Sequence, residues 1–322
     1  MHSPDQLAAA NITAAAQHEE LQAVKRYLLS RDPDGRRFAR VLRETFDQLL
    51  NGEVTGRYAW TQLRQTEKTH AGSMVEINLH REFEFRDGTR MDYQIADVEV
   101  DCKYSQRFGQ WMIPPEATGH ICLLVWGDDD TSRWSAGLLR IRRDLLNGGE
   151  NRDLKTTIRA DARSHITWLW RDAELPENLL LHLDPEIRQS ILIPGSRKGQ
   201  QRVNQLFRLV HARRIGRGVV RTVGQQHDYM ARVREGDPGR ARPKLRKEGI
   251  IILGDYKSHR DVAASLGGPV PEKGEFVAFK VARRRPYHQT SHIAELEGED
   301  WVIATPADPP QEAPRLPEAQ SA

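Results

Sequence analysis

Apolar residues recur every three or four positions over residues 19–29 (Leu21, Val24, Leu28) and 36–50 (Phe38, Val41, Leu42, Phe46, Leu49), which predicts two helices. Asp32, Pro33, Asp34 and Gly35 separate them as a turn. Met74, Val75 and Leu79 predict a third helix over residues 70–79. From residue 83 to 105 the pattern shortens to short strands, and the apolar run from Ile121 to Trp126 predicts a buried strand. Asp128, Asp129 and Asp130 turn it into another strand over 134–141. Helices with a mixed sheet make an α/β fold class.

Residues 147–161 and 187–199 are polar or carry Gly and Pro, and are expected to be breaks. The chain is expected to divide between Asp161 and Pro176, giving domains 1–168 and 169–305, with a disordered Pro-rich tail at 306–322. Periodicity in the second domain predicts helices over 203–215 and 217–233, and strands over 249–253, 276–281 and 301–304. Val219, Val220, Val223, Met230 and Val233, with Gly224 between them, come close to helix-turn-helix spacing. A second helix from Gln225 would present Gln225, Gln226, Tyr229 and Arg232 outward, beside Arg217 and Arg221 on the first helix.

Charge sharpens this picture. The chain carries +3 overall, yet residues 197–247 hold fifteen Lys and Arg against three acids, so that segment is +12 and the remainder −9. Such a block fits a polyanion partner, because each cation on a phosphate releases a counterion. Two cysteines, Cys102 and Cys122, are too few for a disulfide framework and lack zinc spacing, so buried thiols are expected. No apolar run approaches the length of a membrane span and residues 1–20 lack the pattern of a secretory signal, so a cytoplasmic location is expected.

The candidate chemistry lies between Asp92 and Lys103. Alternation from Val98 puts Glu99, Asp101, Lys103 and Ser105 on one face of a strand. If the hairpin closes about Ala96 and Asp97, partners sum to 193 and Asp92 stands opposite Asp101. Ala-Asp is a poor type I′ turn, so a wider loop with the same partners is also open. Opposed like charges destabilise a sheet, and Mg²⁺, which prefers hard carboxylate oxygens, would compensate. Lys103 would add positive charge where a phosphodiester transition state gathers negative charge. A D-x-K triplet alone is common by chance, and an ordinary solvent-facing hairpin remains the alternative. Glu76, between Val75 and Ile77, is either a third site carboxylate or a helix-surface glutamate.

The run 66–83, Asp92 with Tyr93, and the stretch 100–103 resemble the catalytic core of the NaeI family of restriction endonucleases. Segments 111–116, 119–123, 177–182 and 248–254 extend the resemblance in order over nearly the whole chain. It implies a PD-(D/E)xK nuclease fold with a restriction-endonuclease-like mixed sheet, catalytic Glu76, Asp92, Asp101 and Lys103, and Mg²⁺ on the three carboxylates. Met91 stands where the signature has proline. The resemblance further implies a winged-helix domain like that of catabolite activator protein, binding a second, effector copy of the DNA site. A homodimer cutting both strands of double-stranded DNA, with a cognate DNA methyltransferase as companion, belongs to the same implication.

Three rivals follow from the residues. Lys68, Gly72 and Glu76 followed by D…DxK are also similar to the MutH nicking endonucleases of mismatch repair. A non-catalytic DNA-binding regulator is the second. His211 and Arg214 fit the His-x-x-Arg box of tyrosine recombinases, but no matching framework accompanies them. Residues 49–52 lack the lysine of a ligase motif, and no Walker A or HExxH pattern is present.

Overall fold

The computed structural model describes residues 4–149, 151–192 and 198–317. Its chain divides into two compact units. The first comprises Met1–Leu49 and Leu63–Glu177, the second Leu50–Gln62 and Asn178–Ala322. The units therefore part after Glu177, and not at 168/169, because a strand of the first sheet runs across that position. The short stretch Leu50–Gln62 goes with the second unit although its flanks belong to the first.

In the first unit, helices α1 (Pro4–Arg31) and α2 (Arg36–Leu50) flank the expected turn. The buried Asp32 carboxylate accepts the backbone N–H of Phe38 at 2.8 Å and of Arg37 at 3.2 Å, satisfying donors that a helix start leaves unpaired. Gly35 sits at φ 75° against Trp170 and Trp134, where any Cβ would lie within 3 Å of both rings. Between α2 and the next long helix lies the short α3 (Gly52–Thr55), which belongs to the second unit. Helix α4 (Gln65–Phe83) exceeds the predicted 70–79, starting where Glu67 accepts the N–H of Arg64 at 2.8 Å.

Strands β1 (Arg86–Asp87), β2 (Tyr93–Ile95), β3 (Val98–Ser105), β4 (Met112–Ile113), β5 (Ile121–Asp128), β6 (Arg133–Arg140), β7 (Thr156–Thr157) and β8 (Thr167–Glu174) follow. Among the described residues, six of them form one mixed sheet in the order β1-β2-β3-β5-β6-β8, while β4 pairs with β7. Only β3 and β5 run parallel in that sheet. Aromatic packing anchors α2, with Phe38 stacked on Trp134 at 5.3 Å between ring centres. Trp111, Ile113, Leu145 and Ile158 pack with Cys122, Leu124 and Leu139 in a further buried cluster.

The second unit contains α3 and then α5 (Leu179–His182), α6 (Pro185–Leu192), α7 (Gly199–Leu209), β9 (Ile215–Gly216), α8 (Arg217–Gly224), α9 (Ala241–Arg246), β10 (Ile250–Leu253), α10 (Lys257–Ser265), β11 (Glu275–Arg283), β12 (Ala294–Leu296) and β13 (Glu299–Ile303). Its antiparallel sheet runs β10-β11-β13-β12, with β9 added beside β11. Both units are thus mixed α/β.

Four expectations are corrected. Residues 187–192 continue a helix instead of breaking it, while 193–197 lie outside the described residues. Helix α7 ends at Leu209, and Ile215 lies in a strand against Phe276. The helix predicted over 217–233 stops at Gly224, because Gln225 takes the left-handed conformation (φ 46°) that ends helices. Part of the expected disordered tail is held in place: Ala313 is buried, its N–H donates to the Arg246 carbonyl at 2.8 Å, and Glu312 pairs with Arg246 at 2.7 Å, while most of 306–312 is exposed. Residues 318–322 lie outside the described residues. No described helix is long and apolar enough to cross a membrane.

Candidate active site

Strands β2 and β3 pair as Tyr93↔Val100, Gln94↔Glu99 and Ile95↔Val98, the register that opposes Asp92 and Asp101. The turn is the tight two-residue one, with Ala96 at φ 51° and Asp97 at φ 61°, although the Ala96 side chain disfavours that conformation. Asp92 precedes β2 in sequence, and its Oδ2 reaches across to accept the N–H of Cys102 at 2.6 Å.

Parallel pairing with β5 sets Cys122 beside Asp101, and the Cys122 thiol donates to Asp101 Oδ2 at 3.4 Å. Lys103 Nζ donates to Asp101 Oδ1 at 2.6 Å and to the Cys102 carbonyl at 3.0 Å, and lies 3.6 Å from Asp92 Oδ2. Alternation puts Cys102 and Cys122 on opposite faces of the sheet; both are free, buried thiols with pKa values raised by burial.

Burial pushes the Asp101 carboxyl above its ordinary range, Lys103 pulls it down, and the Asp92 charge adds to the rise. Burial works against the Lys103 ammonium, but Asp101 outweighs it, so the lysine pKa ends above its usual value. Glu76, on α4, is half-buried; burial raises its carboxyl first and the Asp92 charge raises it further, against Lys103. The Tyr93 hydroxyl donates to the Glu76 carbonyl at 2.7 Å, tying that turn of α4 to the hairpin.

Three carboxylates therefore share one field with a single ammonium. That donor set suits a hard divalent cation, since burial, and then the neighbouring carboxylate charge, makes two of the three acids resist ionisation. Among the described residues, however, no three His, Cys, Asp or Glu side chains stand together as a ready metal site. Asp92 and Asp101 converge on Lys103, and Glu76 joins them through charge.

The residues expected to read DNA are dispersed by comparison. Arg217 opens α8, its N–H donating to Gly274 at 2.9 Å. Arg221 lies over the Tyr229 ring at 5.3 Å and 3.9 Å from Glu53. Gln225 is exposed and accepts from Arg202 at 2.9 Å; Gln226 is half-buried. No second helix starts there. Asp228 instead caps a single turn, Tyr229–Arg232, by accepting the Ala231 N–H at 3.2 Å. Tyr229 turns inward, edge-on to Phe276, and the Arg232 side chain packs against Gly199 and Gly224, where burial lowers its pKa. Arg214 of the recombinase-like box is paired with Glu272 at 3.0 Å and lies 3.6 Å from Glu275.

Sequence reasoning passed over Tyr93 and Glu99, which flank Asp92 and Asp101. The signals were that Glu99 shares the polar face of β3 and that Tyr93 adjoins Asp92 in the segment that resembles the family.

A mixed sheet carrying paired aspartates and a lysine is the structural class the chain defines. Residues 22–312 match the family described as restriction endonuclease NaeI. A type II restriction enzyme NaeI from Lentzea aerocolonigenes is 49% identical over 304 residues, covering 93% of this chain and 95% of that enzyme. The chain belongs to the NaeI restriction endonuclease family.

Proposed function

We propose that this chain is a type II restriction endonuclease that hydrolyses both strands of double-stranded DNA at a specific sequence, using Mg²⁺. The observation that carries this reading is Lys103 held between Asp101 and Asp92, at 2.6 and 3.6 Å, in a member of this family.

Asp92 and Asp101 would hold the metal ion with Glu76. When bound, Mg²⁺ supplies a Lewis acid for a phosphate oxygen and favours an ionised water. The remaining work falls to the chain. Burial and the Cys122 thiol keep Asp101 in one orientation, and the Cys102 N–H does the same for Asp92. Lys103 stays protonated and stabilises negative charge on the five-coordinate phosphorus. Water oxygen bonds to phosphorus as the bond to the 3′ oxygen breaks, the water giving up a proton to solvent and the leaving 3′ oxygen taking one from solvent, which leaves a 5′-phosphate and a 3′-hydroxyl.

The +12 segment at 197–247 supports a second DNA contact in the second unit, an effector copy of the site that activates cleavage, as in type IIE enzymes. Two-fold symmetry suits a palindromic target, which favours a homodimer with one site per strand. A DNA methyltransferase of the same specificity would protect the host.

Digestion of DNA of known sequence with purified protein and Mg²⁺ tests this. The expected result is double-strand breaks at one repeated sequence with 5′-phosphate ends, stimulated on a single-site substrate by a short duplex carrying that sequence. Nicks alone would favour the MutH-like alternative, and no cleavage on any DNA would overturn the proposal.

A further inference from the structure

Residues 88–91 carry the chain from β1 to Asp92, and three consecutive backbone donors of this loop converge on one side chain. Glu99 Oε1 accepts the N–H of Thr89 at 2.8 Å, and Oε2 accepts those of Arg90 at 3.0 Å and Met91 at 2.9 Å. Successive N–H groups of this kind form an anion-binding nest, here filled by the chain's own carboxylate. The loop has no slack: a Cβ on Gly88 would lie 2.1 Å from the Met91 carbonyl oxygen and 3.1 Å from Glu99 Oε2.

Glu99 belongs to the same strand as Asp101, opposite Gln94. The residue after Met91 is Asp92, whose Oδ2 closes on the Cys102 N–H at 2.6 Å. One carboxylate thus fixes the backbone that delivers the other.

We infer that Glu99 is a positioning residue that sets Asp92 against β3 and so readies the site for its divalent cation. Glu99 touches none of the reacting groups; it acts through Met91 and Asp92. The cation part of this inference rests on the nuclease reading, whereas the hold on Asp92 does not. A neutral glutamine has one acceptor oxygen where the nest presents three donors, and its amide nitrogen would face an N–H.

The test uses Glu99→Gln and, as a second variant, Gly88→Ala, which strains the same loop at Met91 and crowds the Glu99 carboxylate while keeping its charge. Amide hydrogen exchange is read at Cys102, with Leu123 and Leu124 of β5 as internal controls. Exchange at Cys102 is expected to quicken at least tenfold in both variants, with the β5 amides unchanged. The Mg²⁺ concentration for half-maximal cleavage is expected to rise at least fivefold, with KM for DNA unaltered. Unchanged Cys102 exchange in whichever variant retains protected β5 amides would overturn the inference. Absence of cleavage in the wild-type protein would overturn the nuclease reading instead, and the exchange data would still decide whether Glu99 holds Asp92.

Discussion

Lys103 donates to Asp101 at 2.6 Å across a single intervening residue of one strand, so the most buried acid of the site and its cation come from the same few residues. Removing the lysine leaves a buried carboxylate without its charge partner. Lys103→Ala is therefore expected to cost about 1–3 kcal/mol in metal-free buffer, the penalty of an unsatisfied buried acceptor. Millimolar Mg²⁺ should raise the melting temperature of this variant more than that of wild type, because the ion replaces the missing charge. Equal shifts in both proteins would argue against a cation site on Asp92 and Asp101.

Glu76 contributes a pH dependence whose sign follows from its raised pKa. Below the ordinary carboxylate value of 4.5, folded and unfolded states are both protonated and Glu76 adds no penalty. As pH rises through 4.5 and then through the higher folded value, the native carboxylate resists ionisation and stability is lost. Glu76→Gln should accordingly be more stable than wild type at pH 7 in urea denaturation, with the gap closing below pH 4.5. The same variant should lose cleavage. A variant less stable than wild type at pH 7 would contradict the electrostatic account.

The turn joining β2 to β3 holds Ala96 and Asp97 at positive φ, where the Ala96 Cβ costs about 1–2 kcal/mol. Ala96→Asn, a residue this turn prefers, should stabilise the protein by about 1 kcal/mol and leave cleavage unchanged. Chemical denaturation and a cleavage assay check both halves of the expectation.

Within the second unit, a Cβ on Gly52 of α3 would meet Thr222 Oγ1 of α8 at 2.0 Å and the Arg57 carbonyl oxygen at 2.8 Å. Gly52→Ala should destabilise by about 1–3 kcal/mol through overpacking. Combination with Thr222→Ala should recover part of the loss, since contacting residues are not additive. Strictly additive losses would contradict the contact.

The hairpin was legible because a strand has period two and a symmetric turn fixes every partner once its centre is known: from Ala96 and Asp97 alone, Asp92 falls opposite Asp101. Asp101 and Lys103 share a face for the same local reason. The long-range relations were not legible. Tyr229 and Arg232 have the spacing of a helix face, but Gln225 ends α8 and the pull of Phe276 and the space beside Gly199 turn both side chains inward. Neither Leu50–Gln62, which packs α3 with the second unit, nor the C-terminal stretch held by Arg246 carries any mark of its partner in its own composition. Glu99 looked like one more polar residue on an exposed face; its role emerges only when the donors of Thr89, Arg90 and Met91 fold back onto it.

The central claim is that Asp101 and Lys103 perform chemistry and not merely binding. Its most direct test is single-turnover cleavage of site-bearing duplex DNA with saturating Mg²⁺ by wild type, Asp101→Ala and Lys103→Ala, with duplex affinity measured in parallel without metal. The account predicts wild-type cleavage, a loss of at least a thousandfold in rate in each variant, and duplex affinities within about tenfold of wild type, RT ln 10 being about 1.4 kcal/mol. Cleavage persisting at near wild-type rate in both variants would contradict it.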